Sequence, residues 1–320
     1  MRRVALLLAA LAVTATACGS PGRPVDLAMV TSVDRPKPDG FNIAEQGGTA
    51  TQAPNCGDPT VSLRPAGLAT PPNSTMAKIK ERGRLIAGVD QNTYLFGFRN
   101  PETNTLEGFD IDMVRQVAKA LFGDENKVQY KVVTSRDRED VLAKGDVDIV
   151  VRTYTINCDR LQKVAFSTVY YTTGQRILVD KSSPVNSMED LAGKQVCANF
   201  GSTSLSLLAR HAAKPVPVSV ANWSDCLVLL QQGQVAAMST DEPILAGMAA
   251  QDPNLKIVGP KLTEEPYGIG IPKANADMVR FVNAVLDKIR GDGSWQHSYD
   301  QWVGRRTGET AAPPSPKYRD

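Results

Sequence analysis

The chain has 320 residues, 42% hydrophobic and 22% charged, with 36 Lys and Arg against 34 Asp and Glu and a net charge of +2. This near balance, without a basic run, argues against nucleic acid as a partner. There are two histidines, His211 and His297. Neither has metal-ligand spacing to a cysteine pair, so no metal, no cofactor and no histidine-dependent catalysis is expected.

The N-terminus reads as an address. Met1-Arg2-Arg3 is positive, Val4 to Val13 is apolar and Ala15-Thr16-Ala17 is a small-residue cleavage site, which makes residues 1–17 a signal peptide. The apolar run is too short to span a bilayer. Cys18 then resembles the cysteine of a bacterial lipobox, although Ala15 stands where Leu is usual. Cleavage before Cys18 and acylation of its thiol would anchor the protein by lipid to the extracytoplasmic face of the cell membrane. Ordinary secretion, with Cys18 incidental, is the alternative.

Residues 18–75 are rich in Pro, Gly, Thr, Asp and Asn and read as a flexible linker. As a coil, the part from Gly19 to Asn55 has a reach of roughly 35 Å. The tail over 306–320, with Pro313, Pro314 and Pro316, reads as disordered. Besides Cys18 there are Cys56, Cys158, Cys197 and Cys226. An even count in an exported chain favours two disulfides, and three pairings are possible. Cys197–Cys226 with Cys56–Cys158 is preferred, because elements close in sequence often neighbour each other in one lobe.

Between these ends, strands and helices alternate. Strand Arg84 to Val89 precedes a helix from Asp110 to Phe122, with Ile111, Val114, Ala118 and Leu121 on one face. Strand Val128 to Val133, a helix around Arg138 to Ala143 and a buried strand at Ile149 to Val151 follow. A second series starts with strands Gln175 to Val179 and Lys194 to Ala198, helix Ser204 to Ala212 and strand Val216 to Val220. Helix Ser224 to Gln232, strand Val235 to Ser239, helix Glu242 to Ala250 and strand Lys256 to Val258 continue it. Helices Ala276 to Arg290 and Ser294 to Val303 close the fold. Two such series imply an α/β protein of two lobes with a cleft between them. The stretch VDIVVRTYTINCDRLQKVAFS, Val147 to Ser167, puts arginines and hydroxyls just past the end of a buried strand. An α/β protein places ligand contacts there, and a guanidinium fork fits a carboxylate.

From about Met76 to Gly304 the chain resembles the solute-binding proteins of polar amino acid ABC transporters, most of all actinobacterial glutamine/glutamate-binding lipoproteins. The strings that carry the resemblance include LIAGVDQNTYLFGFRNP, LEGFDIDMVRQVAKALFG, LAGKQVCANFGSTSLSLLA, SDCLVLLQQGQVAAMSTDEPILAG and EPYGIGIPK. The resemblance implies a two-lobe, type II periplasmic-binding-protein-like fold whose lobes are joined by a two-strand hinge. Lobe 1 would comprise 76–174 and 264–305, and lobe 2 would comprise 175–263. It implies a monomer that takes a free polar amino acid and meets an ABC permease, or in a rival reading a transmembrane sensor. Relatives of this fold also include enzymes, but no spare acid/base constellation is evident, so an enzyme is not expected.

Site residues follow from the same resemblance. Arg160 would grip the ligand α-carboxylate, Thr155 would touch carboxylate and ammonium, and the Thr153 carbonyl would accept from the ammonium. Asp241 would pair with the ammonium, or only cap a helix. Ser202 and Thr203, opening a helix, would offer N–H groups to the carboxylate. Asp90 and Tyr94 are cleft candidates. Arg152 departs from the glutamine-binding pattern, where a small residue is usual. It needs an anion when buried, supplied by a ligand side chain or by Asp90 or Asp148. Arg138 and Arg176 are further candidates. The expectation is an acidic amino acid or its amide: glutamate or aspartate, also glutamine or asparagine.

Overall fold

The computed structural model describes residues 35–43 and 55–320. The signal peptide read over 1–17 and the lipidation site at Cys18 lie outside the described residues. Lobe 1 is built on a five-stranded sheet in the order Val128–Val132, Leu85–Val89, Ile149–Val150, Gly270–Pro272 and Val164–Phe166. The first three strands are parallel, and Gly270–Pro272 runs antiparallel to both its neighbours. Leu85, Ala87, Val89 and Ile149 are fully buried, as expected for parallel strands covered on both faces. Helix Phe109–Phe122 buries Phe109, Ile111, Val114, Val117, Ala118 and Leu121, a 3.6-residue stripe against the sheet. It ends at Gly123 in the left-handed conformation that glycine favours.

Lobe 2 holds a six-stranded sheet ordered Asn42–Ile43, Val216–Val220, Gln195–Asn199, Ala237–Asp241, Gln175–Asp180 and Leu255–Val258. Its apolar core runs from Ile177 to Val258 and is separate from the core of lobe 1. The Cys197–Cys226 disulfide, Cα–Cα 5.5 Å, joins strand Gln195–Asn199 to helix Trp223–Gln231 inside this core. The lobes are linked by an antiparallel ribbon in which Tyr171–Thr173 pairs with Glu265–Tyr267. Immediately after it, a Cβ on Gly174 would lie 2.4 Å from the Thr263 carbonyl. Only glycine lets the two crossing strands approach this closely.

Three expectations need correction. The linker read over 18–75 is structured in several places. Asn42–Ile43 adds an antiparallel edge strand opposite Ser219 and Val218, Cys56 is bonded to Cys158, and Thr75–Arg82 is a helix capped by Ser74. The tail over 306–320 is likewise ordered. Tyr318–Arg319 pairs in parallel with Ser62–Leu63, and Lys317 bridges Asp58 at 2.8 Å. Both segments borrow order from the lobes. The buried Asn283 side chain donates to Ser62 Oγ at 2.9 Å and to the Leu63 carbonyl at 2.6 Å, and accepts from Thr168 N–H at 2.8 Å. Composition reports that a segment cannot fold alone; it does not report an edge waiting elsewhere. The last helix is also not continuous. Ser294–Tyr299 passes into a π-helical turn over Asp300–Gly304; Ser298 Oγ from the first and Trp302 Nε1 from the second both donate to Asp112 Oδ2 at 2.7 Å.

Deleting residues 308–320 removes the partner of Ser62–Leu63. It is expected to lower the melting temperature by about 2–4 °C. An unchanged transition would show that the tail contributes no stability.

Candidate functional site

The parallel strands Leu85–Val89 and Ile149–Val150 deliver their C-terminal ends to the gap between the lobes. Past Ile149–Val150 the chain turns through Arg152 and Thr153, and Thr153 takes φ +41°, unusual for a β-branched residue. Its N–H donates to Asp110 Oδ2 at 2.8 Å, which holds the turn. Asp110 is fully buried and also accepts from Tyr170 Oη at 2.7 Å. Burial outweighs these bonds and raises its pKa to about 6. The N-terminus of helix Cys158–Lys163 is capped by Asn157, whose side chain accepts from Arg160 N–H at 2.9 Å. The Cys56–Cys158 disulfide pins the first residue of this helix, Cα–Cα 5.6 Å.

Three arginines come together here, all buried: Arg138, Arg152 and Arg160. They differ in their partners. Arg152 Nη2 is 3.0 Å from Asp90 Oδ2 and Nη1 donates to Ser135 Oγ at 2.6 Å. Asp90 is committed elsewhere too, accepting from Gln91 and Asn92 N–H and from Thr93 Oγ1. Arg152 therefore has its anion inside the protein, and the side-chain carboxylate expected opposite it is not needed. Asp148 is not that partner, since it pairs with Arg82 and accepts from Ile86 N–H. Arg160 Nη1 donates to the Thr155 carbonyl at 2.6 Å, and its Nε lies 3.7 Å from Glu139. Glu139 is shared with Lys163.

Arg138 has no ion pair among the described residues. Its four hydrogen bonds all go to backbone carbonyls, of Ser135, Arg152, Thr153 and Gly201. Its guanidinium and that of Arg160 lie over the Tyr154 ring at 4.3 and 4.9 Å from the centroid, a cation–π arrangement. Burial, helped by the nearby Arg160, pulls the Arg138 pKa down to about 9, still protonated at neutral pH.

Lobe 2 meets these cations with a turn and a helix N-terminus. The Gly201 carbonyl accepts from Arg138 Nη2 at 3.2 Å and from Arg160 Nη2 at 3.3 Å, so the two lobes touch. Gly201 has φ +78°, and a Cβ there would sit 2.7 Å from Arg136 Cα. Both facts require glycine. Ser202 caps helix Thr203–Arg210 by accepting from Leu205 N–H at 3.0 Å. Thr203 Oγ1 donates to Glu265 Oε2 at 3.0 Å. Asn92 Nδ2 donates to Asn222 Oδ1 at 3.2 Å, a further bond between lobes.

Asp241 stands at the N-cap of helix Glu242–Ala249, but its side chain makes no capping bond. It accepts instead from Tyr267 Oη of the hinge ribbon, while its Oδ1 is buried without a partner. Burial, then repulsion from Glu265, raises its pKa from 3.8 to about 7.

Two other candidates lie outside this constellation. Arg176 pairs with Glu242 and donates to the Gly259 carbonyl. The Tyr94 ring packs edge-on against Phe98 at 4.9 Å, and its carbonyl bears on Gly247, where a Cβ would come within 2.7 Å. Tyr267, Glu265 and Glu139 escaped sequence reasoning. Of these, Tyr267 had a usable signal, the EPYG string at the returning hinge strand.

Residues 85–305 match the model of the bacterial extracellular solute-binding proteins, family 3. The glutamine-binding protein GlnH of an ABC transporter of Bacillus subtilis is 40% identical over 230 residues, 72% of this chain and 84% of that protein. The glutamate-binding protein GluB of Corynebacterium efficiens is 31% identical over 236 residues, covering 70% and 80%. Among solved structures, an ancestral arginine-binding protein bound to glutamine superposes with a TM-score of 0.66 at 34% identity, covering 70% of this chain and 99% of that one.

The raised pKa of Asp241 fixes a sign. Between about pH 4 and pH 7 the folded protein holds a proton that the unfolded chain releases, so this group makes stability fall as pH rises through that window. Asp110 acts in the same direction up to its pKa of about 6. The Asp241→Asn variant should therefore lose less stability than the wild type between pH 5 and pH 8 in ligand-free melts. Equal losses would show that Asp241 ionises normally.

Proposed function

The chain belongs to the bacterial extracellular solute-binding proteins of family 3, and we propose that its solute is an acidic amino acid, glutamate or aspartate, with the amides as weaker ligands. It is a binding protein and not an enzyme. In the proposed complex, Arg160 and the N-terminus of helix Thr203–Arg210 take the α-carboxylate, with Thr155, Ser202 and Thr203 beside it. Asp241 takes the ammonium, with the Thr153 carbonyl nearby. Its unpartnered Oδ1 and raised pKa describe a carboxylate that gains from a cation.

The observation that carries the acidic preference is Arg138. Arg152 is neutralised by Asp90, and Arg160 is taken by the α-carboxylate in this reading. Arg138 then remains as a buried cation facing lobe 2 with only carbonyl acceptors. A carboxylate is a stronger acceptor than the Gly201 carbonyl and would offset the cost of burying the charge. The glutamine-binding relative of Bacillus subtilis and the glutamate-binding relative of Corynebacterium efficiens support a ligand of this size and polarity. Lipid anchoring at Cys18 and delivery to an ABC importer at the outer face of the cell membrane complete the proposal.

Calorimetry of the purified protein against glutamate, aspartate, glutamine and asparagine tests it. The acids should bind more tightly, and folded Arg138→Leu should reduce the acid-over-amide ratio by about tenfold. Arg160→Ala should weaken all four by about a hundredfold or more, as expected when one partner of a desolvated ion pair is removed. A wild type that binds amides better than acids would overturn the acidic reading.

A further inference from the structure

The two disulfides differ in what surrounds them. Cys197 and Cys226 are 0% exposed inside the core of lobe 2. Cys56 is exposed and Cys158 is half-buried. Thiol–disulfide exchange requires access to a sulfur, so a thiol in solution reaches Cys56–Cys158 first.

The accessible bond is the one beside the site. Cys158 is the first residue of helix Cys158–Lys163, and Arg160 is the third. The helix has six residues, too few to be stable by itself. Its polar restraints are the Asn157 cap, the Lys273 Nζ bond to the Gln162 carbonyl at 2.6 Å and the Lys163–Glu139 pair at 3.2 Å. The disulfide adds a covalent tie, and its other end is well fixed. Asp58 pairs with Lys317 at 2.8 Å, Ser62 Oγ donates to the Phe166 carbonyl at 2.7 Å, and Ser62–Leu63 pairs with Tyr318–Arg319. The turn that carries Arg160 is thus braced against the body of lobe 1 from outside the cleft.

We propose that the Cys56–Cys158 disulfide is a positioning element for Arg160, and that its reduction lowers the affinity of the protein for its ligand. The inference rests on the reading in which Arg160 takes the α-carboxylate. A dithiol reductant supplies both electrons. One of its thiolates attacks the exposed Cys56 Sγ, and Cys158 leaves as a thiolate. The second thiol then cleaves the mixed disulfide and releases Cys56. The reductant ends as a cyclic disulfide, and its two protons end on the two cysteines. Arg160 must afterwards be ordered by the ligand, a cost that the oxidised protein has already met on folding. Every amino acid carries an α-carboxylate, so all are weakened alike. Arg138 lies on a different helix, Arg138–Ala143, and keeps the preference among side chains.

The test starts from wild type treated with dithiothreitol until alkylation and peptide mapping find Cys56 and Cys158 free and Cys197–Cys226 intact. Calorimetry against glutamate, aspartate, glutamine and asparagine should show all four affinities lowered by about tenfold, the scale of ordering one long side chain. The acid-over-amide ratio should stay unchanged, and reoxidation should restore the affinities. The Cys56→Ser, Cys158→Ser double variant should bind as reduced wild type does and be insensitive to dithiothreitol. In Arg160→Ala, reduction should change affinity by less than about twofold, because the bond acts through that side chain. A bond that only stabilises the fold would lower the melting temperature and leave the affinities within about twofold well below the transition. That result, or the same loss on reduction in Arg160→Ala as in wild type, would overturn the inference and leave the amino acid reading intact. A wild type that binds none of the four amino acids would overturn both.

Discussion

Two guanidinium groups buried against one tyrosine ring, Arg138 and Arg160 over Tyr154, set the terms for the rest of this structure. Positive charge at this density is expensive away from water. The protein meets the cost with fixed dipoles: the carbonyls of Ser135, Arg152, Thr153, Thr155 and Gly201 all accept from these side chains. One of these five, Gly201, belongs to the other lobe. The electrostatics of the site and the contact between the lobes therefore meet at one carbonyl oxygen.

The hinge carries the opposite charge. Asp241 and Glu265 lie where lobe 2 meets the ribbon, held by Tyr267 and Thr203. Burial, and then repulsion from Glu265, raises the Asp241 pKa. Cations on the lobe 1 loops and carboxylates at the hinge make a cleft polarised from one side to the other. In the proposed complex a zwitterion aligned with that field would be favoured at both poles, the kind of differential interaction by which a ligand shifts a two-lobe protein toward a closed form. Each lobe has its own apolar core, an arrangement suited to movement at a hinge and not to diffuse deformation.

Outside the cleft, the same protein secures segments too polar to fold alone. Residues around Ser62 and Tyr318 form a two-stranded parallel pair on lobe 1, and Cys56 is fastened to the helix that carries Arg160. The disulfide and the Asn283 network compensate for an apolar core that these stretches lack.

The alternation of strands and helices was legible in the sequence because apolar periodicity is local. Strand Val216–Val220 and helix Arg138–Ala143 fall where the pattern puts them, and the other elements read between Arg84 and Arg290 shift by a residue or two, whereas strands Val164–Phe166 and Gly270–Pro272 and helices Thr75–Arg82 and Cys158–Lys163 were not read. The arginines and hydroxyls past Ile149–Val150 were legible for the same reason, as a polar break after a buried run. What tertiary structure alone decided is who pairs with whom. Arg152 had Asp90, Asp148 and a ligand carboxylate as possible anions, and only the strand order, which sets Leu85–Val89 beside Ile149–Val150, brings Asp90 within 3.0 Å. Asp241 read as a ligand carboxylate or only a helix cap; its side chain makes no capping bond, and it is the hinge crossing that brings Tyr267 to it. That Arg138 has no ion pair among the described residues is likewise invisible in a string of letters. Burial and hydrogen bonding depend on distances between residues far apart in the chain, and periodicity carries no information about them.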